Sequence, residues 1–307
     1  MNRIMMGLLL ALTPVLVSAE LKIVTTAPDF ADLARQIGGD KVSVHSVMKG
    51  PENVHNVMAK PPEMLALNRA DMFVHGGLDS EPWRDNLLKG ARNPRVLPGQ
   101  PGNVDMSEGI EIKEVPTGKV DRSMGDVHAY GNPHFQMDPR AAARMAVTLA
   151  KAMANLDPAN GDLYKANARK FVIDITDLQK QLIEKLKPFG RLKIVTFHPG
   201  WVYFEDAFGV QVVATIEPKP MITPSPAEMR KVVETMKSQG VKIVVVETYS
   251  SYDQAKWVAD HAGAKLITLP DHVNGVEAVK TYQDLFRYDV DTLIATAKEL
   301  GLEGAGK

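Results

Sequence analysis

Residues 160–187 read NGDLYKANARKFVIDITDLQKQLIEKLK. Leu163, Ala166, Phe171, Ile175, Leu178, Leu182, Ile183 and Leu186 recur at helical spacing with charged residues between them, the pattern of an apolar stripe along one long amphipathic helix. A helix of about 28 residues extends roughly 42 Å. That is longer than one small domain requires and suits a connector between two lobes. Pro188 and Gly190 end it, since neither residue continues a helix well.

Outward from this helix the chain alternates strand and helix patterns in both directions. On the N-terminal side, residues 21–26, 41–48 and 71–75 read as strands. Pro28 and Asp29 open a helix that stops at Gly38 and Gly39, and residues 61–68 form another. Residues 93–133 are rich in Gly and Pro and read mainly as loop with short strands, whereas 139–156 is a strong helix. On the C-terminal side, 192–197, 210–216, 242–246 and 265–269 read as strands, with helices over 203–208, 226–239, 253–263 and 279–300. Strands separated by helices predict parallel sheets with right-handed crossovers. The expected fold is therefore α/β: two parallel-sheet α/β lobes, residues 20–157 and 189–307, joined by one long connecting helix over 158–188. The two lobes look like one plan used twice, although no sequence repeat is evident.

Composition narrows the class. With 307 residues, 45% of them hydrophobic and 24% charged, the chain has the balance of a globular protein. Its formal net charge of −1 gives no basic excess for nucleic acid. Residues 1–19 read as a secretory signal peptide: Arg3 precedes an apolar run from Met5 to Val17, broken only by Gly7, Thr13 and Pro14, and Val17-Ser18-Ala19 places small residues for cleavage before Glu20. The run is too short to span a bilayer. The sequence contains no Cys. No lipid can be attached at such a residue after the apolar run, so a soluble periplasmic protein without a lipid anchor is expected. Thiolate metal sites and cysteine nucleophiles are excluded as well. Any metal must be held by His, Asp or Glu.

Open parallel sheets bind ligands beyond the carboxyl ends of their strands. Five side chains able to hold a metal fall there. His55 follows the second strand in Gly50-Pro51-Glu52-Asn53-Val54-His55, and His134 precedes a helix in Asn132-Pro133-His134-Phe135-Gln136-Met137-Asp138-Pro139. His198 ends the strand Ile194-Val195-Thr196-Phe197, Glu247 ends the strand through Val246, and Asp271 follows the strand through Leu269. A cleft between the lobes would bring two histidines from the first lobe against one histidine and one or two carboxylates from the second. Imidazole with carboxylate suits Zn²⁺, Mn²⁺ or Fe²⁺, and three imidazoles favour zinc. Of the other histidines, His128 reads as a solvated loop residue, with transient capture of the ion as the alternative, and His45 and His261 as packing or surface residues within a strand and a helix.

These motifs resemble those of the cluster A-I (TroA/ZnuA-like) metal-binding proteins of ABC transporters. Asn53-Val54-His55 through Pro61 resembles the family's first-ligand loop, and Arg69-Ala70-Asp71-Met72-Phe73-Val74 with Glu81-Pro82-Trp83 the strand and helix start that follow it. Asn132-Pro133-His134-Phe135-Gln136-Met137-Asp138-Pro139 is similar to the family's Asp-Pro-His-x-Trp-Leu-Asp-Pro. Thr196-Phe197-His198 with Trp201, Tyr203 and Phe204 resembles the third-ligand segment, and Pro224-Ser225-Pro226, Val245-Val246-Glu247 and residues 259–269 continue the likeness. The resemblance implies a metal buried between the lobes, with His55, His134 and His198 as ligands. It implies a histidine at the third position in zinc-type members and a glutamate in manganese-type members. It also implies a monomer that serves the permease of an ABC importer at the inner membrane, with Zn²⁺ as cargo and Mn²⁺ or Fe²⁺ as alternatives.

Two departures matter. The family's fourth ligand is an Asp in Leu-Asp-Pro, whereas this chain reads Leu269-Pro270-Asp271-His272, one residue displaced. Asp271 is the expected fourth ligand and Glu247 its alternative. A His-rich loop before the second ligand is missing, leaving only His128 in Asp126-Val127-His128-Ala129-Tyr130. The competing function is a periplasmic zinc-dependent hydrolase, in which an open coordination position would hold water and Glu247 would act as general base. Neither His-Glu-x-x-His nor Gly-x-Ser-x-Gly occurs, so that reading lacks its usual motifs.

Overall fold

The structure, a computed structural model, describes residues 20–118 and 128–304. The signal-peptide reading of residues 1–19 lies outside the described residues. Among those described, no helix is long and apolar enough to cross a membrane.

The first half runs β1 (Leu21–Thr25), α1 (Pro28–Gly38), β2 (Val42–Ser46), α2 (Pro61–Asn68), β3 (Met72–His75), α3 (Arg84–Ala91) and β4 (Asn103–Asp105). Next come α4 (Pro139–Leu156) and α5 (Gly161–Leu186). The second half runs β5 (Lys193–Thr196), α6 (Val202–Phe208), β6 (Gln211–Thr215), α7 (Pro226–Gln239), β7 (Ile243–Val246), α8 (Tyr252–Ala262), β8 (Lys265–Thr268) and α9 (Tyr282–Glu299). The sheets are ordered β2-β1-β3-β4 and β6-β5-β7-β8, and every strand pair is parallel. One topology is therefore built twice, as the sequence pattern predicts. β3 and β7 are buried along their whole length, which explains why Ile243-Val244-Val245-Val246 shows no alternation: helices cover both faces of a parallel sheet.

The long helix joins the halves. α5 packs on α1 and α4 from the first half and on α6 and α9 from the second. Its buried stripe is Tyr164, Ala168, Phe171, Ile175, Leu178, Leu182 and Leu186. The expected stripe holds from Phe171 onward but is out of phase in the first two turns, where Leu163 and Ala166 face solvent. Tyr164 takes the buried position because its hydroxyl donates to Asp157 Oδ2 at 2.6 Å, so its ring can be buried without stranding a polar group. At the other end of the chain, α9 begins at Tyr282 rather than at Val279. Thr281 and Asp284 form a capping box there, which satisfies free backbone donors at the helix start, while Val279 is buried in the preceding turn.

α9 also returns to the first lobe. Asp32 on α1 accepts from the Tyr282 backbone N–H at 2.8 Å and from Gln36 Nε2 at 2.6 Å. Gln36 and Gln283 exchange amide hydrogen bonds of 2.9 and 3.0 Å, and the Tyr282 hydroxyl donates to the Gln136 carbonyl at 2.9 Å. Burial raises the Asp32 pKa from 3.8 to about 6 against these hydrogen bonds. The folded protein therefore holds this proton more tightly than the unfolded chain. The resulting stabilisation is complete below pH 3.8 and is lost as pH rises through about 6. In urea titrations across that window, Asp32→Asn is expected to show a flatter dependence of stability on pH than the parent protein.

Candidate metal centre

The loops at the carboxyl ends of the strands converge between the two sheets. His55 lies in a short 3-10 turn after β2, His134 just ahead of α4, and His198 two residues after β5. All three are buried. Ligand-capable nitrogens of the three rings all lie within 4.8 Å of one another. The ring centroids of His134 and His198 are 5.0 Å apart, those of His55 and His134 5.7 Å, and those of His55 and His198 6.3 Å.

Each ring is held by its Nδ1. His55 Nδ1 is 3.0 Å from the Ser80 carbonyl, His134 Nδ1 is 2.9 Å from Asn132 Oδ1, and His198 Nδ1 is 2.7 Å from Glu217 Oε2. The three partners are oxygen acceptors, so each neutral ring carries its proton on Nδ1 and presents the Nε2 lone pair. Asn132 is oriented by its own contacts. Its Nδ2 donates to Glu114 Oε2 and the Pro199 carbonyl, which leaves Oδ1 to accept from the backbone and ring of His134. Ser80 sits in a loop fixed by Glu81, whose Oε1 accepts from Thr26 and from the Gly76 N–H. Gly200 lets the rings approach: a Cβ there would stand 2.9 Å from His134 Cδ2 and 3.2 Å from His198 Cδ2.

The electrostatics divide the three rings. Burial pushes the His55 and His134 pKa values well below 6.5, and the neighbouring imidazoles push the same way. Burial lowers His198 too, but its hydrogen bond to Glu217 and the charges of Glu247, Glu217 and Asp271 outweigh this and leave it above 6.5.

The carboxylates take different places. Glu247 is saturated: it accepts from Trp201 Nε1 at 2.6 Å, from Ser250 Oγ at 2.7 Å and, through both oxygens, from the His198 backbone N–H at 3.3 Å. Burial raises its pKa to about 7. Asp271 is buried, accepts from the Tyr249 hydroxyl at 2.8 Å through Oδ2, and has no hydrogen-bond partner for Oδ1 among the described residues. It stands outside the group of three converging nitrogens and connects to it through Tyr249, whose ring centroid is 6.2 Å from that of His198.

His128 differs from its expected solvated position. It is half-buried, with its ring 4.9 Å from that of His55, and lines a cavity of about 260 Å³ together with His134, His198 and Glu217. His75 is structural: it contacts Asn103, the Gly77 N–H and Arg84. His45 is exposed on β2, and His261 stacks on Trp257 with ring centroids 3.8 Å apart. Sequence reasoning missed Glu217 and Tyr249. Glu217 follows β6 as Glu247 follows β7, so the strand-end argument could have found it.

This geometry agrees with the comparisons. The sequence model of one family, described as zinc-uptake complex component A, periplasmic (ZnuA), matches residues 23–296. The chain belongs to the ZnuA family. The iron-binding protein YfeA of Yersinia pestis is 25% identical over 284 residues, 89% of this chain and 85% of YfeA. The manganese ABC transporter substrate-binding lipoprotein PsaA of Streptococcus mitis is 23% identical over 287 residues, covering 89% and 88%. A crystal structure of ZnuA is 26% identical, covers 90% of this chain and 99% of that one, and superposes with a TM-score of 0.77. As a ZnuA-family member, the chain is a metal-binding solute-binding protein of the ABC-transporter type, and its relatives are not enzymes. The hydrolase reading finds no support.

Glu217 supplies the local test of these electrostatics. Glu217→Leu is expected to lower the His198 pKa, because its hydrogen-bond partner and one of three nearby carboxylate charges are lost while burial remains. Imidazole titration of the metal-free protein by NMR measures it.

Proposed function

We propose that this protein captures Zn²⁺ in the cleft between its lobes and delivers it to the permease of an ABC importer. His55, His134 and His198 are the nitrogen ligands and Asp271 is the fourth. Residues 20–157 and 189–307 act as the two lobes about the connecting helix at 158–188. The protein works as a monomer in the periplasm after removal of residues 1–19.

One observation carries this reading: three buried imidazoles converge with every Nδ1 already engaged by an oxygen acceptor. Burying three neutral rings side by side with their lone pairs inward is costly unless a cation completes them. Such carbonyl–histidine and carboxylate–histidine pairs are the usual second layer of a metal site. Asp271 is supported as fourth ligand by its buried, unengaged Oδ1. Glu247 is disfavoured because Trp201, Ser250 and the His198 N–H already occupy it. The relatives differ in cargo, with iron named for YfeA and manganese for PsaA, so the choice of zinc rests on the three nitrogens, which a borderline-soft ion prefers over oxygen.

Calorimetry on demetallated protein is expected to show one tight site per chain, with Zn²⁺ held more firmly than Mn²⁺. Tighter Mn²⁺ or Fe²⁺ would overturn the assignment of cargo, and undiminished binding by His134→Ala would overturn the site. Binding to the folded state alone should raise stability by roughly 4 kcal/mol at a thousandfold excess over Kd, read as a melting shift reversed by chelator.

Acidification should weaken binding in two stages. His198, with its raised pKa, competes with protons first, whereas the depressed His55 and His134 stay unprotonated until lower pH. The slope of log K against pH is therefore expected to approach one as His198 protonates and to steepen in more acid solution, as ligand deprotonation becomes limiting. Calorimetry at stepped pH checks it.

A further inference from the structure

The loop that carries Asp271 is gripped from the opposite lobe. Asp29, fully buried at the start of α1, reaches out of the first lobe with both oxygens. Its Oδ2 closes directly on His272 Nδ1, and its Oδ1 accepts the Val273 backbone N–H at 2.9 Å. A single carboxylate thus holds the two residues that follow Asp271. The loop is also pressed against the first lobe at Gly50, where a Cβ would fall 2.1 Å from the Asn274 carbonyl carbon and 2.5 Å from the Gly275 nitrogen. Asp271 itself is steered on the other side by the Tyr249 hydroxyl, and its Oδ2 lies 3.9 Å from His272 Nε2. Neither Asp29 nor His272 belongs to the converging nitrogens.

We propose that the buried Asp29–His272 pair is a clasp from the first lobe that positions Asp271 for the metal. This rests on the reading of Asp271 as the fourth ligand. His272 immediately after Asp271 gives the first lobe a handle on the loop. Asp29 and His272 are positioning residues. Their loss should act on affinity only through Asp271, whereas a general loosening of the lobes would act whether or not Asp271 is present.

The experiment is a double-mutant cycle on the full chain, read as Zn²⁺ affinity by competition with a chromophoric chelator. Asp29→Asn is expected to weaken zinc by about ten- to a hundredfold, the range for residues that orient metal ligands. Asp29→Asn/Asp271→Ala should bind within about twofold of Asp271→Ala alone, because coupled residues do not add. Gln36→Ala, which breaks the neighbouring contact between α1 and α9, should leave affinity unchanged. With Co²⁺ as probe, Asp29→Asn should shift the visible bands toward those of Asp271→Ala. Should Asp29→Asn fail to fold, Asp29→Ala/His272→Leu removes both buried polar groups together and leaves neither stranded; the same cycle is then run with it. The clasp is overturned if the Asp29 variant binds zinc like the parent while Asp271→Ala does not. It is equally overturned if the two losses multiply in full. Parent-like binding by Asp271→Ala would remove the fourth-ligand reading itself, and the clasp with it.

Discussion

Three imidazoles buried within hydrogen-bonding reach of a common point form the constraint on which the rest of the cleft depends. Protonated together they would repel one another in a poorly solvated space, so burial and mutual charge push His55 and His134 toward the neutral form. A neutral ring must then put its one proton somewhere, and each has an oxygen waiting at Nδ1: a carbonyl for His55, an amide for His134 and a carboxylate for His198. The choice of partner grades the three rings. Only His198 has an anion at its back, and only His198 is left above its ordinary pKa.

Much of the surrounding architecture serves these three contacts. Glu81 ties the loop after β3 to Thr26 after β1, and that loop presents the Ser80 carbonyl to His55. The Tyr203 hydroxyl donates to the Asn132 carbonyl, fixing the segment that leads into His134. Glu247, gathered by Trp201, Ser250 and the His198 backbone, fixes the turn after β5. Two adjacent carboxylates therefore support one histidine in different ways, Glu217 at the ring and Glu247 at the main chain. The long helix α5, packed on helices of both halves, holds them in the register that this convergence needs, since sliding one lobe past the other would separate His198 from the other two rings.

Most of the fold was legible along the chain. Helical spacing from Phe171 to Leu186 marked the connector, and proline and glycine marked the ends of α1 and the end of the connector, because these residues act through local backbone sterics that need no tertiary partner. Errors arose where a distant group decided the outcome. Tyr164 replaced Leu163 in the stripe because Asp157 lies in reach of its hydroxyl. His128 is half-buried because its ring sits 4.9 Å from that of His55, distant from it in sequence but beside it in space. Of the candidate site, His55, His134 and His198 stood out with Glu247 and Asp271 by their place after strands and ahead of a helix, and the family resemblance then singled out the three histidines.

What the sequence by itself determined is the repeated strand–helix alternation, the connector, the exclusion of thiolate chemistry and a set of five metal-capable side chains at strand ends and a helix start. These depend on residue type and short-range spacing. Only the tertiary structure decided that the three rings share one point, that Glu217 stands behind His198, that Glu247 is occupied by three donors, and that Asp29 grips the loop of Asp271 from the other lobe. The physical reason is distance along the chain. Asp29 and His272 are 243 residues apart, and no local rule of spacing connects them. Their meeting is set by how two independently built sheets are docked about α5, and a hydrogen bond discriminates at tenths of an ångström, far finer than any periodicity in a sequence can specify.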